Sequence, residues 1–493
     1  MLKRDEIKAI YDLGPDAIID LVERLFHLIE LQQSVIQQQQ AEIDSLTARV
    51  KELEDRLATN SRNSSKPPSS DGFTKQTRSL RQASSKKSGA QSGHKGKTLA
   101  LVDTPDSQLI HLPVQCARCG GSLLDAAAQL CPERRQVFEL PPLRLQVIEH
   151  RIAAKQCLHC HQQNLGSFPQ AVPTGASYGA GVKSLLVYLH KQHFLPSQRS
   201  CEIFANLFNQ PLAQGTLQAA GEFCAQELQE IEELIKEGVR QAKVAHFDET
   251  GMYVQEQRGW LHTASTLQVT HYAYHEKRGS VATEEIAILP AFQGRACHDG
   301  LRSYMKYACR HALCNAHHLR ELIFVEEQLG REWGKQMKEL LLEIKGAVDE
   351  AKEQGQGELS QLKQEDFVRR YQEILSKGLA VETQEPPLPS GKRGRRKQSK
   401  AKNLLDRLSR YEEESLSFMK DFAVPFDNNL AERDLRMMKV QQKVSGCFRT
   451  KQGARDFCRI RSYLSTMKKQ GHNVLEALRS VFDGTPLVPA LSG

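Results

Sequence analysis

The sequence lacks the features of a membrane-spanning or exported protein. It contains no run of about 18 apolar residues that could cross a bilayer, and 26% of its residues are charged. Asp5 and Glu6 stand where a signal peptide has a basic segment, and no apolar stretch follows them. The twelve cysteines are scattered along the chain rather than arranged as a disulfide framework. We therefore expect a soluble cytoplasmic protein with no membrane partner, whose cysteines bind metal or lie buried as thiols.

The basic charge is concentrated in one segment. The chain of 493 residues has a formal net charge of +8, and its length is enough for about three folded units. Residues 61–100 hold nine basic residues and one acidic residue, so the net charge of this segment equals that of the whole chain. Such a segment suits a polyanion such as nucleic acid, although a solubilising linker has the same composition. Its serine-rich and apolar-poor sequence predicts a disordered basic linker.

A heptad repeat occupies residues 22–57. Its first core position holds only β-branched residues and leucine: Val22, Ile29, Ile36, Ile43, Val50 and Leu57. The second core position holds Leu25, Gln32, Gln39, Leu46 and Leu53. Isoleucine and valine at the first position with leucine at the second favour a parallel two-stranded coiled coil. We predict self-association through residues 1–60; a single amphipathic helix packed on its own chain is the alternative.

The rest of the chain divides by periodicity. Helical spacing over 175–240 includes two helices around residues 209–211, which fit a helix-turn-helix or an ordinary helical hairpin. From residue 243 the period changes to two and predicts three strands, with a fourth at 295–299. Helices follow, interrupted by a basic loop at 385–397. We expect an α/β core over 241–470 with a helical insertion at about 325–420, and a C-terminal tail over 471–493.

Two cysteine pairs have the spacing of a zinc site. Cys116 and Cys119 form one C-x2-C knuckle, and Cys157 and Cys160 form another. Each two-residue turn directs both thiolates at one centre, so two knuckles supply the tetrahedral ligand set of a structural Zn²⁺. The interval between the knuckles includes a candidate strand at 146–152. We predict a zinc-ribbon domain over 101–170; unrelated buried thiols and a reversible dithiol are the alternatives.

Three acids have the placement expected of a catalytic metal site. Asp248 and Asp299 end predicted strands, and Glu432 begins a predicted helix. Carboxylates are the ligands that Mg²⁺ prefers, and two such ions, Mg²⁺ or Mn²⁺, could drive in-line phosphoryl displacement. Each acid also has a structural alternative, namely a turn before Gly300, a strand end, and a capping box that begins at Asn429.

Basic residues crowd the third acid, as contacts to DNA phosphates would. They are Arg433, Arg436, Lys439, Lys443 and Arg449. A further group, Cys314 with His317 and His318, has the spacing of half a zinc site. A lone C-x2-H is weak evidence for metal, and two histidines at a helix start are more often polar packing or DNA-facing residues.

Six motifs in order along the chain resemble one family. They are Asn-Ser-Ser-Lys-Pro-Pro-Ser-Ser-Asp at 63–71, Ser-Gly-His-Lys-Gly at 92–96, His-Phe-Asp-Glu-Thr-Gly at 246–251, Cys-Asn-Ala-His-His-Leu-Arg-Glu-Leu at 314–322, Pro-Phe-Asp-Asn-Asn-Leu-Ala-Glu-Arg-Asp-Leu-Arg-Met-Met at 425–438 and Ser-Gly-Cys-Phe-Arg at 445–449. Together they are similar to the bacterial insertion-sequence sixty-six transposases. The resemblance extends from the heptads to residues 461–465.

This resemblance implies a DDE-type transposase with a ribonuclease-H-like, retroviral-integrase-like core. The family's metal-binding catalytic triad falls on Asp248, Asp299 and Glu432. It also implies a multidomain α+β or α/β protein in which a coiled coil, a zinc-binding segment and a helical DNA-binding region precede the core.

The implied function is DNA strand cleavage and strand transfer at the ends of a bacterial insertion sequence. Expected partners are the terminal inverted repeats, target DNA, further copies of the chain and accessory proteins of the same element, within the bacterial nucleoid. A catalytically inactive DNA-binding regulator and a nuclease that cuts without joining are the alternatives.

Overall fold

The computed structural model describes residues 4–60, 62–64, 99–169, 172–384 and 398–491. Most of the predicted linker and the whole predicted loop at 385–397 lie outside these residues, as do the motif at 92–96 and most of that at 63–71. Within the described part of the chain, no helix combines the length and apolarity needed to cross a bilayer.

The N-terminal heptads form one long helix. A short helix, α1 (Arg4–Tyr11), is followed by α2 (Pro15–Leu57). Gly14 has a φ of 104° and Pro15 is at the first helical position, which explains why a new helix begins there. The seam residues Ile29, Ile36 and Ile43 are 49%, 62% and 55% exposed in the single chain. Helix α2 therefore presents an uncovered apolar stripe.

The cysteine-containing segment has little regular structure. Two short strands, β1 (Ala154–Gln156) and β2 (Gln163–Leu165), pair as an antiparallel hairpin. The candidate strand at 146–152 is not formed. Within residues 99–169, every residue is exposed or only half-buried. This segment has no hydrophobic core of its own, so apolar burial within it does not hold it together.

Four helices precede the sheet: α3 (Ala180–Val187), α4 (Ser197–Phe208), α5 (Gln214–Glu227) and α6 (Gln229–Arg240). The two helices predicted around residues 209–211 are thus present as α4 and α5. The apolar residues of α5 and α6 are buried together with residues of the sheet. Helices α5 and α6 therefore share the hydrophobic core of the sheet, whereas no residue of α4 belongs to that buried cluster.

The central element is a five-stranded mixed sheet. Its strands are β3 (Val244–Val254), β4 (Gln257–Ser265), β5 (Thr270–His275), β6 (Arg295–His298) and β7 (Arg310–Leu313), in the spatial order β5-β4-β3-β6-β7. The first three form antiparallel pairs. Strands β6 and β7 run parallel to β3. This mixed pairing confirms the strand-then-helix prediction.

Strand β3 is longer than predicted. It continues past Asp248 to Val254, because residues 249–254 pair with β4 down to a two-residue turn at Gln255 and Glu256. Asp248 therefore lies inside a strand and not at its tip. On the opposite edge, however, the pairing of β3 with β6 ends at His246. Beyond that point Asn428 donates to the Phe247 carbonyl on this edge, and Val254 forms a bridge with Phe448. Asp248 lies between these two contacts, past the last residue paired with β6.

The remaining helices cover the sheet. Helix α7 (Ser280–Ile286) lies between β5 and β6, and α8 (Asn315–Glu327) follows β7. The predicted insertion consists of α9 (Glu332–Glu353), α10 (Gln361–Gln384), α11 (Lys400–Arg410) and α12 (Glu412–Lys420), which bury a common apolar cluster. Helices α13 (Asn429–Ser445), α14 (Lys451–Lys469) and α15 (Val474–Phe482) complete the fold.

The predicted C-terminal tail is wrong in part. Residues 474–482 form α15, whose Ala477, Leu478 and Val481 are fully buried in the same cluster as the sheet. The apolar spacing of this helix gives it one face to bury, so it packs onto the core instead of remaining a tail.

Candidate active site

The register of the parallel strands places two of the predicted acids side by side. Val244 of β3 pairs with Arg295 of β6, and His246 pairs with Cys297. Continued by two residues, the same register sets Asp248 level with Asp299. Neighbouring strands lie about 4.8 Å apart, and residues level with each other in parallel strands face the same side of the sheet. The two aspartates therefore lie side by side just beyond the residues through which β3 and β6 pair.

Helix α13 carries the third acid, and Asn428 sets its position. Asn428 is only 1% exposed. Its Nδ2 donates to the carbonyl oxygen of Phe247 at 2.9 Å, and its Oδ1 accepts from His246 Nδ1 at 2.8 Å. These bonds dock the start of α13 on β3 beside Asp248. Glu432 follows one turn later, where its N–H donates to the Asn428 carbonyl.

This geometry excludes the capping-box alternative for Glu432. Asn428, not Asn429, is the N-cap residue of α13, and no side chain caps the helix there. Asp427 instead accepts from the backbone N–H of Asn429 at 3.0 Å. The side chain of Glu432 is thus not engaged in ending its own helix.

The acids repel one another in a dry environment. Burial raises the pKa of Asp248 well above its usual range, and the charges of Glu249, Asp299 and Glu432 raise it further. Burial and the charge of Glu249 also raise the pKa of Asp299. Oε1 of Glu432 is buried without a hydrogen-bond partner. A divalent cation would relieve both the repulsion and the missing contact, so these carboxylates fit a hard ion such as Mg²⁺.

Glu249 neighbours the acids but has other partners. Its carboxylate accepts from Arg278 Nε at 2.8 Å and from the hydroxyl of Tyr304 at 2.6 Å. Its side chain is only 1% exposed. A carboxylate that is already satisfied in this way supports the sheet and is a poor candidate for metal binding.

Two histidines support the turn that carries Asp299. The N–H of Gly300 donates to His298 Nδ1 at 3.0 Å, so the proton of this imidazole is on Nε2. That N–H donates to His311 Nδ1 at 3.0 Å, and His311 Nε2 donates to the Tyr307 carbonyl at 3.1 Å. Burial, together with the nearby His311, lowers the pKa of His298 to about 3.

A third parallel strand adds donors that the triad does not include. His298 of β6 pairs with Leu313 of β7, so the same register sets Asp299 level with Cys314. Ligand atoms of Cys314, His317 and Glu432 all lie within 4.8 Å of one another. Among the described residues, this is the only such group of three or more. Asp248, Asp299 and Glu432 are neighbours, but their ligand atoms do not all lie within 4.8 Å of one another.

The predicted DNA-contacting residues form an exposed basic surface. Arg433, Arg436, Lys439, Lys443 and Arg449 are all exposed. Arg436, Lys439 and Lys443 recur at positions four, seven and eleven after Glu432, which places them on its face of α13. Burial lowers the pKa of Lys439, whose Nζ donates to the carbonyl of Gly251 at 3.1 Å.

The two cysteine knuckles have the same backbone geometry. The N–H of Cys116 donates to the carbonyl of Gly121, and the N–H of Gly120 donates back to Cys116. Cys157 makes the corresponding pair of bonds with Gln162 and His161. Backbone N–H groups of the second and third residues after each leading cysteine lower its pKa. Each knuckle therefore favours a thiolate, which is the form that binds zinc.

The structure does not gather the two knuckles into one site. Within the described residues, Cys116, Cys119, Cys157 and Cys160 do not appear as a cluster of three or more neighbouring ligands. Cys131, His159 and His161, which could replace a cysteine that does not bind, do not join them either. Each knuckle is formed locally, and the four-thiolate site remains a prediction.

Sequence reasoning missed the residues that position the acids. Asn428 occurs in the Asp-Asn-Asn motif, but nothing local distinguishes its buried side chain from that of exposed Asn429. Arg278 and Tyr304 carry no motif at all. Cys314 and His317 had a spacing signal, but their third partner, Glu432, lies more than one hundred residues away.

Family models match two parts of the chain. One, described as the Transposase IS66 family, matches residues 175–456 and so includes the sheet and all three acids. Another, described as a family of unknown function (DUF6444), matches residues 20–100. No curated protein is similar enough to the chain to count as a match. Because the first match spans more than half of its residues, the chain belongs to the IS66 family of transposases.

Proposed function

We propose that the chain is a DDE-type DNA transposase that binds the ends of an insertion sequence and cuts and joins DNA strands there. The observation that supports this most directly is the strand register, which sets Asp248 level with Asp299 while Asn428 docks the helix of Glu432 beside them. Two acids from parallel strands and one from a helix thus face one edge of the sheet.

In this proposal Asp248, Asp299 and Glu432 hold two divalent cations, Mg²⁺ or Mn²⁺. Bound there, such ions activate a water or a 3′-hydroxyl for attack and stabilise the oxygen that leaves. The protein's own contribution is to hold the three carboxylates in place on the sheet and on α13. The mixed sheet, in which Asp248 and Asp299 come from the neighbouring strands β3 and β6, supports a ribonuclease-H-like core.

The basic face of α13 is proposed to bind the DNA backbone. Arg436, Lys439 and Lys443 continue the face of Glu432 over roughly 16 Å of helix. This spacing would let one strand follow the helix while its phosphate enters the acidic site. Exposed cations of this kind supply sequence-independent affinity that falls as salt rises.

The N-terminal half is proposed to assemble the complex. The exposed seam of α2 supports a homo-oligomer formed through a coiled coil. The matching geometry of the knuckles and the lack of buried residues over 99–169 support a structural Zn²⁺ bound by Cys116, Cys119, Cys157 and Cys160. A segment without a core gains its folding energy from the metal. Helices α4 and α5 remain candidates for contact with the terminal repeats.

The test uses DNA from either side of the gene, where the proposal expects inverted repeats. Asp248→Asn, Asp299→Asn and Glu432→Gln keep the size of each side chain but remove its charge, so each should reduce Mg²⁺-dependent cleavage and joining of repeat DNA to background. Salt-dependent binding of the same DNA should remain. Glu413→Gln, an exposed acid of α12, is the matched control and should retain activity. Glu249 and Asp434 are unsuitable controls, because both are tied into buried contacts.

The outcomes separate the alternatives. Cleavage without joining by the unaltered protein would indicate a nuclease. Unchanged cleavage in all three variants would refute the site. An unaltered protein that binds the repeats but neither cuts nor joins them would indicate a regulator descended from a transposase.

A further inference from the structure

Two helix starts converge on Cys314. This residue is the N-cap of α8, and His317 lies in the first turn of that helix. The backbone N–H of Asn428, at the start of α13, donates to Cys314 Sγ at 3.1 Å. Burial and the charge of Glu432 raise the pKa of this thiol to about 12, although N–H groups at both helix starts lower it. An ion bound here would therefore displace the proton from the sulfur.

The donor atoms are almost close enough to share one ion. His317 Nδ1 and Glu432 Oε1 lie 3.8 Å apart. Tetrahedral Zn²⁺ with Zn–N and Zn–O bonds of about 2.1 Å would require about 3.4 Å between these atoms. Both atoms are buried and have no hydrogen-bond partner. A small side-chain movement would thus satisfy two polar atoms that the fold leaves unpaired.

The chemistry of the donors selects the ion. A thiolate, an imidazole and a carboxylate suit Zn²⁺ and similar borderline-soft cations, whereas Mg²⁺ prefers oxygen ligands throughout. A thiolate and a carboxylate together offset the charge of one divalent ion. Arg320 Nη2 lies 3.7 Å from Glu432 Oε1 and opposes a bound cation, so the site should be weaker than a closed four-thiolate site.

We propose that Cys314, His317 and Glu432 form a second cation site that is selective for thiophilic divalent ions such as Zn²⁺. An ion bound at this site would occupy Glu432, which then could not bind Mg²⁺. The competition rests on the proposed function, because it assumes that Glu432 serves catalysis; the binding itself does not. Since Cys314 lies level with Asp299, this site adjoins the catalytic acids. An ion bound there would inhibit strand cleavage.

Binding is tested with Co²⁺ as a spectroscopic substitute for Zn²⁺. The full-length protein saturated with Co²⁺ should hold one more ion with thiolate-to-cobalt absorption than Cys314→Ser does under the same conditions. The knuckle thiols are present in both proteins and cancel in the comparison. Cys309→Ser, which removes another buried thiol, should match the unaltered protein. Equal stoichiometry and absorption in Cys314→Ser and the unaltered protein would overturn the proposal.

A second variant tests the same site in case Cys314→Ser does not fold. His317→Gln replaces a side chain that is 17% exposed and has no hydrogen bond through Nδ1. It should weaken Co²⁺ binding at this site by at least about 100-fold, because even the loss of a supporting contact commonly costs 10–100-fold. If folded His317→Gln, verified by its unfolding curve, bound Co²⁺ as tightly as the unaltered protein, the site would be refuted.

Inhibition is measured on repeat DNA at a fixed Mg²⁺ concentration. Zn²⁺ should suppress cleavage by the unaltered protein, and His317→Gln should need at least about tenfold more Zn²⁺ for the same effect. Co²⁺ binding without any Zn²⁺ inhibition would overturn the competition. Unchanged cleavage in the triad variants would instead overturn the proposed function, and the Co²⁺ result would be unaffected.

Discussion

Asn428 provides the sharpest test of how the helix of the third acid is held. Its side chain joins α13 to β3 through two bonds, one to the Phe247 carbonyl and one from His246. Replacing it with alanine would remove both bonds and leave buried polar groups behind, because His246 is itself only 7% exposed.

The magnitude follows from those two bonds. A buried donor or acceptor left without its partner costs about 1–3 kcal/mol. We therefore expect Asn428→Ala to lower the free energy of unfolding by about 2–6 kcal/mol. Asn429→Ala is a matched control, because Asn429 has the same chemistry one residue later but is exposed. Its cost should stay within about 0.5 kcal/mol, as for most surface substitutions.

Urea unfolding followed by tryptophan fluorescence is a suitable assay. The chain has two tryptophans, Trp260 in β4 and Trp333 in α9, so the signal reports on the sheet and the insertion that pack around the site. Equal losses of stability for the two asparagine variants would refute this account of α13. A stable Asn428→Ala with unchanged cleavage would refute the inference that Asn428 positions Glu432.

Three further predictions concern acid stability, assembly and zinc. His298 has a pKa of about 3 in the folded chain and about 6.5 when unfolded. The unfolded state therefore takes up the proton first, and the free energy of unfolding falls as the pH drops below 6.5. Between pH 7 and 5.5, the free energy of unfolding of His298→Gln should fall by about 1 kcal/mol less than that of the unaltered protein. In light scattering, Ile29→Lys with Ile36→Lys should reduce the oligomer to a monomer, whereas Ser34→Lys, away from the heptad seam, should not. Elemental analysis after dialysis should find one tightly bound Zn²⁺ per chain that Cys157→Ser removes; retention by that variant would contradict the ribbon.

Short-range patterns predicted the secondary structure well. The heptads indicated α2, since an apolar residue every three or four positions gives a helix one face to bury. Alternation with period two indicated the strands, and the cysteine spacing indicated the two knuckle turns, whose bonds all join residues at most five apart. These features depend on neighbours in the chain and can be read from them.

The predictions from sequence were wrong where a segment packs or pairs with residues that are distant in the chain. β3 extends beyond Asp248 because β4 supplies partners for its backbone as far as Val254. Residues 474–482 pack as α15 because the sheet and α14 offer an apolar surface to cover. Neither the length of a strand nor the burial of a terminal helix is set by local composition alone.

The triad acids were chosen from the sequence, but their meeting point depends on tertiary structure. Asp248 and Asp299 become neighbours only through the β3–β6 register, which hydrogen bonds between distant segments determine. Asn428 and Asn429 are identical residues, yet only contact with His246 and Phe247 makes the first an anchor. Cys314 and His317 alone are half of a metal site. Docking of α13 brings Glu432 to them, since burial and backbone pairing, not sequence proximity, decide which side chains share a site.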